Sequence, residues 1–165
     1  MLSRLIRALP RDWLVWMYKA VPFKRLKDYA VHRTQAKFLM SVLGVITDST
    51  GRVMLLKHTY REQPWGIPGG WMEEEKPEEA MAREIREETG LSVKRLRLVK
   101  AIYGQKPDRV DLIFRGELDG SELGEKGFKS NSEISDMLLC RPGDWPEGLP
   151  EDQKKLITEL LREER

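Results

Sequence analysis

Thiol and imidazole chemistry is scarce here: 165 residues hold one cysteine, Cys140, and two histidines, His32 and His58. A single cysteine excludes an internal disulfide and fits a reducing compartment. Two isolated histidines offer no Cys/His cluster of the kind that holds zinc. No apolar run approaches the ~18 residues of a membrane span. The N-terminus lacks an apolar core followed by a small-residue cleavage site, so the expected location is cytoplasmic. Neither sign of charge dominates, since 29 Lys+Arg against 27 Asp+Glu leave a net +2, too little for a generic binder of polyanions. There is no internal repeat, low-complexity tract, P-loop, dinucleotide fingerprint, Ser-His-Asp arrangement or DNA-binding motif. The length suggests one domain with residues to spare for an extension.

What charge there is lies unevenly. Residues 1–37 are strongly basic, with only Asp12 and Asp28 opposed to their arginines and lysines. Residues 1–36 read as a basic amphipathic extension of two short helices. Leu2, Leu5, Ile6 and Leu9 make one stripe at helical spacing, and Trp13, Trp16, Met17 and Ala20 make the next. Pro10 and Pro22 punctuate them. Three roles stay open for this segment. It is a flap packed on the domain or across a homodimer, a peripheral anchor on a membrane surface or partner, or a nucleic-acid contact.

Residues 37–165 read as an α/β domain. Phe38–Thr47 is apolar and β-branched, a buried strand, and the Asp48–Gly51 turn leads to a second strand over Arg52–Lys57, making a hairpin. Further strands are expected over Ser92–Tyr103, Arg109–Leu118 and Ile134–Cys140, with a loop over Gly104–Asp108 and a proline-rich one over Pro142–Pro150. A closing helix over Glu151–Arg165 has Leu156, Ile157, Leu160 and Leu161 as its inner face. A helix over 77–89 opens on Pro77, whose missing N–H costs nothing in the first turn. Glu78 and Glu79 follow at the positive end of its dipole, and Gly90 is a natural C-cap. Ala80, Met81, Ile85 and Thr89 form its inner face.

On that helix Glu84, Glu87 and Glu88 stand at i, i+3 and i+4, on one face. Like charges so spaced cost roughly 0.2–0.5 kcal/mol per pair. A divalent cation turns the cost to use, because hard cations prefer oxygen ligands. Gly69, Glu75, Arg83, Glu84, Ile85, Glu87, Glu88, Gly90 and Leu91 fill every fixed position of the pattern G-x5-E-x7-R-E-U-x-E-E-x-G-U, with U a bulky aliphatic. The stretch therefore resembles the signature of the Nudix hydrolases. Trp65–Gly70 resembles the strand and turn that lead into it. One departure stands out: Glu74 occupies the place where many members carry glycine, and the loop after Gly69-Gly70 is a residue shorter.

The resemblance covers roughly residues 37 to 163. It implies a mixed sheet sandwiched between helices and hydrolysis of a nucleoside diphosphate linked to another moiety (NDP-X). It implies Mg2+, with Mn2+ as an alternative, held by Glu87 and Glu88. Glu84 would be a further ligand or orient water, and a backbone carbonyl at Gly69 or Gly70 would add to the set. Arg83 would hold a carboxylate, Glu75, as a bidentate partner. Family members place the general base differently, so Glu84 and Glu133 are both candidates.

Substrate choice rests outside the signature. Pro107, 16 positions after Leu91, resembles a marker of ADP-ribose pyrophosphatases. Nucleoside triphosphates, dinucleoside polyphosphates and RNA 5′ ends are the alternatives. Trp65, Trp71 and Tyr103 are candidates to stack on a base, and Arg61 and Arg109 to contact phosphate. A binding module that has lost catalysis is the rival class; loss of Glu87, Glu88 or Arg83 would favour it, and none is lost.

Overall fold

The computed structural model describes residues 10–20, 24–120, 128 and 130–162. The expected stripe over Leu2–Leu9 and the last three residues of the closing helix fall outside them. Residues 1–38 and 39–165 form two compact units, each described by itself.

In the first unit, α1 spans Arg11–Ala20 and α2 spans Lys24–Thr34. Trp13 and Trp16 of α1 are exposed. No element was expected over residues 24–34. Leu26, Tyr29 and Val31 are exposed, so the segment shows no buried stripe to read. His32 and Arg33 in its last turn suit the negative end of the helix dipole.

The second unit runs β1 (Leu39–Thr47), β2 (Val53–His58), β3 (Trp65–Gly66), β4 (Gly69–Trp71), α3 (Pro77–Thr89), β5 (Val93–Gly104), β6 (Arg109–Leu118), β7 (Ile134–Cys140) and α4 (Glu151–Arg162). The sheet has seven strands in the order β3-β2-β1-β6-β5, with β4 on β1 and β7 on β2. β1 and β6 are parallel, and every other pair is antiparallel. The sheet is mixed and the domain α/β, as expected.

Two expectations need correction. β1 and β2 share a single register pair, Thr47 with Val53, so the hairpin is confined to its turn. Beyond it β1 is taken by β4 and β6, and β2 by β3 and β7. The turn itself is held by Asp48, whose Oδ1 accepts from the Thr50 and Arg52 amides at 2.9 Å each. Likewise Phe38, Leu39 and Met40 are exposed rather than part of a buried strand; β1 buries its side chains only from Ser41 onward.

Alternation along the strands feeds two cores. On one face Val42, Ile46, Met54, Leu56, Leu112 and Phe114 meet Ala80, Met81 and Ile85 of α3. On the other Val45, Val53, Leu55 and Ile113 meet Ile157 and Leu160 of α4. Leu156 and Leu161 border that second core. α3 is thereby clamped along one face, and its acidic face is left to the cleft.

Candidate active site

α3 begins as its sequence dictates. The Lys76 amide donates to Glu79 Oε2 at 3.3 Å, and Pro77 occupies the first turn. It ends at Gly90, which adopts φ 73° and donates to Arg86 O at 2.8 Å. Thr89 closes the last turn from within, its hydroxyl donating to Ile85 O and accepting from the Leu91 amide.

β4 approaches the carboxylate face of α3, and two glycines permit the approach. At Gly69, φ is 145° and a Cβ would stand 2.0 Å from Val42 O. At Gly70 a Cβ would stand 2.5 Å from Glu84 Oε2. The segment before them is tied on both sides: Gly44 donates to Pro68 O at 2.9 Å, and the Ile67 amide donates to Gln153 Oε1 of α4 at 2.9 Å.

Arg83 organises the acids. Its Nη2 and Nε reach Glu75 Oε1 at 2.7 and 3.1 Å. Its Nη1 reaches Glu84 Oε1 at 2.8 Å and Glu87 Oε2 at 3.1 Å, and Nη2 also donates to Trp71 O at 3.1 Å. The hydrogen bond from Arg83 holds Glu75 below the usual carboxylate range. Burial pushes Glu84 up, against the pull of Arg83. Glu88 is only 8% exposed and has one donor, the Gly69 amide at 3.0 Å. Burial drives its carboxyl up to about 8, the Gly69 bond opposes this, and Glu84 and Glu133 add to it.

Among the described residues, no three acidic, histidine or cysteine side chains are already gathered around one metal-sized point. The cause is visible: Arg83 draws Glu84 and Glu87 while Gly69 draws Glu88. The three helix carboxylates nonetheless line one pocket of about 270 Å³, with Asn131, Ser132 and Glu133 opposite.

Asn131 was missed in the sequence. Its Nδ2 donates to Glu87 O and Glu88 O at 3.2 and 3.4 Å. Its Oδ1 accepts from the Glu133 and Ile134 amides at 2.9 and 2.7 Å. The staple holds the Glu133 loop against the carbonyl end of α3. Thr59 steadies it from β2's side, donating to Ser132 O and Glu133 O at 2.9 Å each. Asn at a loop position beside a strand is ordinary turn chemistry, so nothing marked it beforehand.

A larger cleft of about 540 Å³ takes in Gly69, Gly70, Arg61, Trp71, Arg109 and Glu133 together with Glu84, Glu87 and Glu88. Pro107 lines it too. Trp65, read as a stacking platform, does not. It packs at the edge of the second core with Lys57 Nζ 5.8 Å from its ring. Tyr103 is exposed and donates to Asp108 Oδ1.

Comparison with known proteins bears on this site. A "NUDIX domain" family model matches residues 37–160. A curated relative, the "ADP-ribose pyrophosphatase" of Methanocaldococcus jannaschii, is 29% identical over 87% of this chain and 83% of its own. A "MutT-like protein" of Streptomyces ambofaciens is 34% identical over 60% of this chain and 68% of its own. Among solved structures a "UDP-X diphosphatase" matches with a TM-score of 0.65 at 23% identity, over 94% of this chain and 80% of that one. Signature, fold and family model agree: the chain belongs to the NUDIX family and is a Nudix hydrolase.

Proposed function

We propose that the chain hydrolyses the pyrophosphate bond of an NDP-X compound, with ADP-ribose and nucleotide sugars as the substrate class, and that a divalent cation, Mg2+ or Mn2+, is required. The reading is carried by the grouping of Glu84, Glu87, Glu88 and Glu133 on one pocket beside the Gly69-Gly70 turn. The donors fit a hard cation: all are oxygens. Glu88, buried with a single N–H partner, would carry its charge there readily only beside a compensating cation. Glu84, Glu87 and Glu88 would hold the ion, with the Gly69 carbonyl as a further donor. Such an ion, when bound, offsets the charge of the phosphates and makes water a better nucleophile at neutral pH.

The protein's own groups do the rest. Glu133 faces the helix carboxylates, and its carboxylate makes no hydrogen bond or ion pair among the described residues. It takes the proton of the attacking water, a role that Glu84, tied to Arg83, is less free to fill. The water oxygen forms the new P–O bond, the bridging P–O bond breaks, and the proton passes to the departing phosphate. Arg83 keeps Glu75, Glu84 and Glu87 in register. The relative from M. jannaschii supports ADP-ribose as a substrate to test first. With every acid of the signature and Arg83 present, the silent binding module has no residue loss to rest on.

The test is a panel of ADP-ribose, nucleotide sugars, nucleoside triphosphates and 5′-triphosphorylated RNA with Mg2+, products identified. Cleavage of an NDP-X compound to a nucleoside monophosphate and X-phosphate is expected. Preference for triphosphates or RNA would move the substrate class, and inertness toward the whole panel would sink the reading.

A further inference from the structure

We infer that the sheet face across β4, β1 and β6 is the nucleobase subsite of this hydrolase, that Trp71 is its platform and Arg109 its edge reader, and that the reader selects guanine, with its two adjacent acceptors, over adenine. The inference rests on the NDP-X reading and deepens it. Trp71 pairs with Ser41 across the β4–β1 ladder, and Ser41 pairs with Asp111 across the β1–β6 ladder. Directly paired residues project to the same face, and so do Arg109 and Asp111, two apart on one strand. All four line the cleft that reaches the α3 carboxylates. Two strand spacings, about 10 Å, separate β4 from β6. That displacement leaves room at Arg109 for the nucleoside of a substrate whose diphosphate sits at α3.

The chemistry of Arg109 is that of a base reader. Its Nε is spent on Asp111, at 2.8 and 3.0 Å from the two carboxylate oxygens. Asp111 is 7% exposed and also accepts from the Ser41 hydroxyl. The guanidinium is backed by Gly104, where a Cβ would stand 2.9 Å from Cζ. Nη1 and Nη2 make no hydrogen bond among the described residues. A fork so neutralised is poorly suited to a phosphate, whose charge is best met by an uncompensated cation. It suits a neutral group with two acceptors side by side. A donor-only fork matches a carbonyl-bearing edge such as guanine O6/N7, whereas the N6/N7 edge of adenine needs one donor and one acceptor, as Asn or Gln supplies. Trp71, 52% exposed, gives a base of any kind a stacking surface.

The test begins without turnover, so that it stands apart from the hydrolase assignment. Titration calorimetry of GMP and AMP on the metal-free full chain should show GMP binding roughly tenfold or more tighter than AMP. Equal affinities, or tighter AMP, overturn the inference even if NDP-X is cleaved. Arg109→Gln should reverse the order toward AMP, and an unchanged order also overturns it. A Cβ at Gly104 would meet the Arg109 side chain alone among its three nearest atoms, from Cγ at 3.1 Å to Cζ at 2.9 Å, so Gly104→Ala keeps the test open should Arg109→Gln not fold. It should erode the preference while leaving the melting temperature near that of the parent, and an intact preference counts against the inference. In turnover, the preference for guanosine diphosphate sugars over ADP-ribose should shrink in Arg109→Gln through KM, with kcat nearly constant.

Discussion

Arg83 grips Glu75 with two nitrogens, Nη2 at 2.7 Å and Nε at 3.1 Å from the same carboxylate oxygen, and spends Nη1 on Glu84 and Glu87. One guanidinium thus fixes three acids on two segments, the loop before α3 and the helix itself. A lysine cannot reproduce that fork. Arg83→Lys should lower kcat by about ten- to a hundredfold, the scale of an ångström misplacement of reacting groups, while the far-ultraviolet spectrum stays unchanged. Steady-state kinetics on the preferred substrate check this. Turnover within twofold of the parent would remove Arg83 from its organising role.

Glu88 ties stability to pH and to metal. Its carboxyl is pushed from the ordinary 4.5 to about 8, first by burial. A folded value above the unfolded one means the folded chain holds the proton more tightly. Stability of the metal-free protein from this group is full below 4.5 and declines as pH rises through about 8. Glu88→Gln keeps an acceptor for the Gly69 amide and carries no charge, so the variant should lose that decline between pH 5 and 8. Millimolar Mg2+ should raise the melting temperature of the parent by mass action and leave Glu88→Gln unmoved. Glu87→Gln should likewise abolish magnesium-dependent turnover with the fold kept. Scanning calorimetry across pH, with and without Mg2+, reads the stability effects together, and a magnesium shift equal in Glu88→Gln and parent contradicts the ligand assignment.

The helix and its acids were legible because two signals coincide there. Pro77, Gly90 and the buried Ala80, Met81 and Ile85 state the helix in local terms, and the spacing of Glu84, Glu87 and Glu88 states the chemistry on its open face. Strands β6 and β7 were equally plain, being short apolar runs between turns. What the sequence hid is long-range. The pairing of Ser41 with both Trp71 and Asp111 joins residues 30 and 70 positions apart, and no periodicity announces it. Trp65, an aromatic beside the signature and a candidate platform, lies on β3 against the second core, a placement that its position in the sequence does not announce. α2 was silent because its side chains are exposed on every turn that can be described.

Asn131 acts through Glu133. Its amide bridges the carbonyls of Glu87 and Glu88 to the backbone of the Glu133 loop, so it is a positioning residue. Asn131→Ala should reduce kcat by about tenfold or more with little change in KM. Glu133→Gln should cost more. The double variant should be no slower than Glu133→Gln alone, because the staple matters only while there is a base to place. Additive losses would assign Asn131 a separate part in the fold.

His58 is the remaining titratable group with a distinct signature. It is 3% exposed, and neither ring nitrogen has a partner among the described residues. Tyr60 stands edge-on with ring centroids 5.7 Å apart. Burial, aided by the positive charge of Arg61, holds its pKa down from 6.5 to about 4. A folded value below the unfolded one means that the unfolded chain takes the proton first. The stability linked to His58 is therefore present above 6.5 and lost as pH falls through about 4. The difference corresponds to roughly 2–4 kcal/mol across that window, at about 1.4 kcal/mol per pKa unit. His58→Leu removes both the proton uptake and two unsatisfied buried nitrogens, each of which costs about 1–3 kcal/mol. The variant should therefore melt higher than the parent at every pH, with the gap widening from pH 7 to pH 4.5. Denaturant titrations at those two pH values decide it: a gap that stays constant places the acid sensitivity of the domain elsewhere.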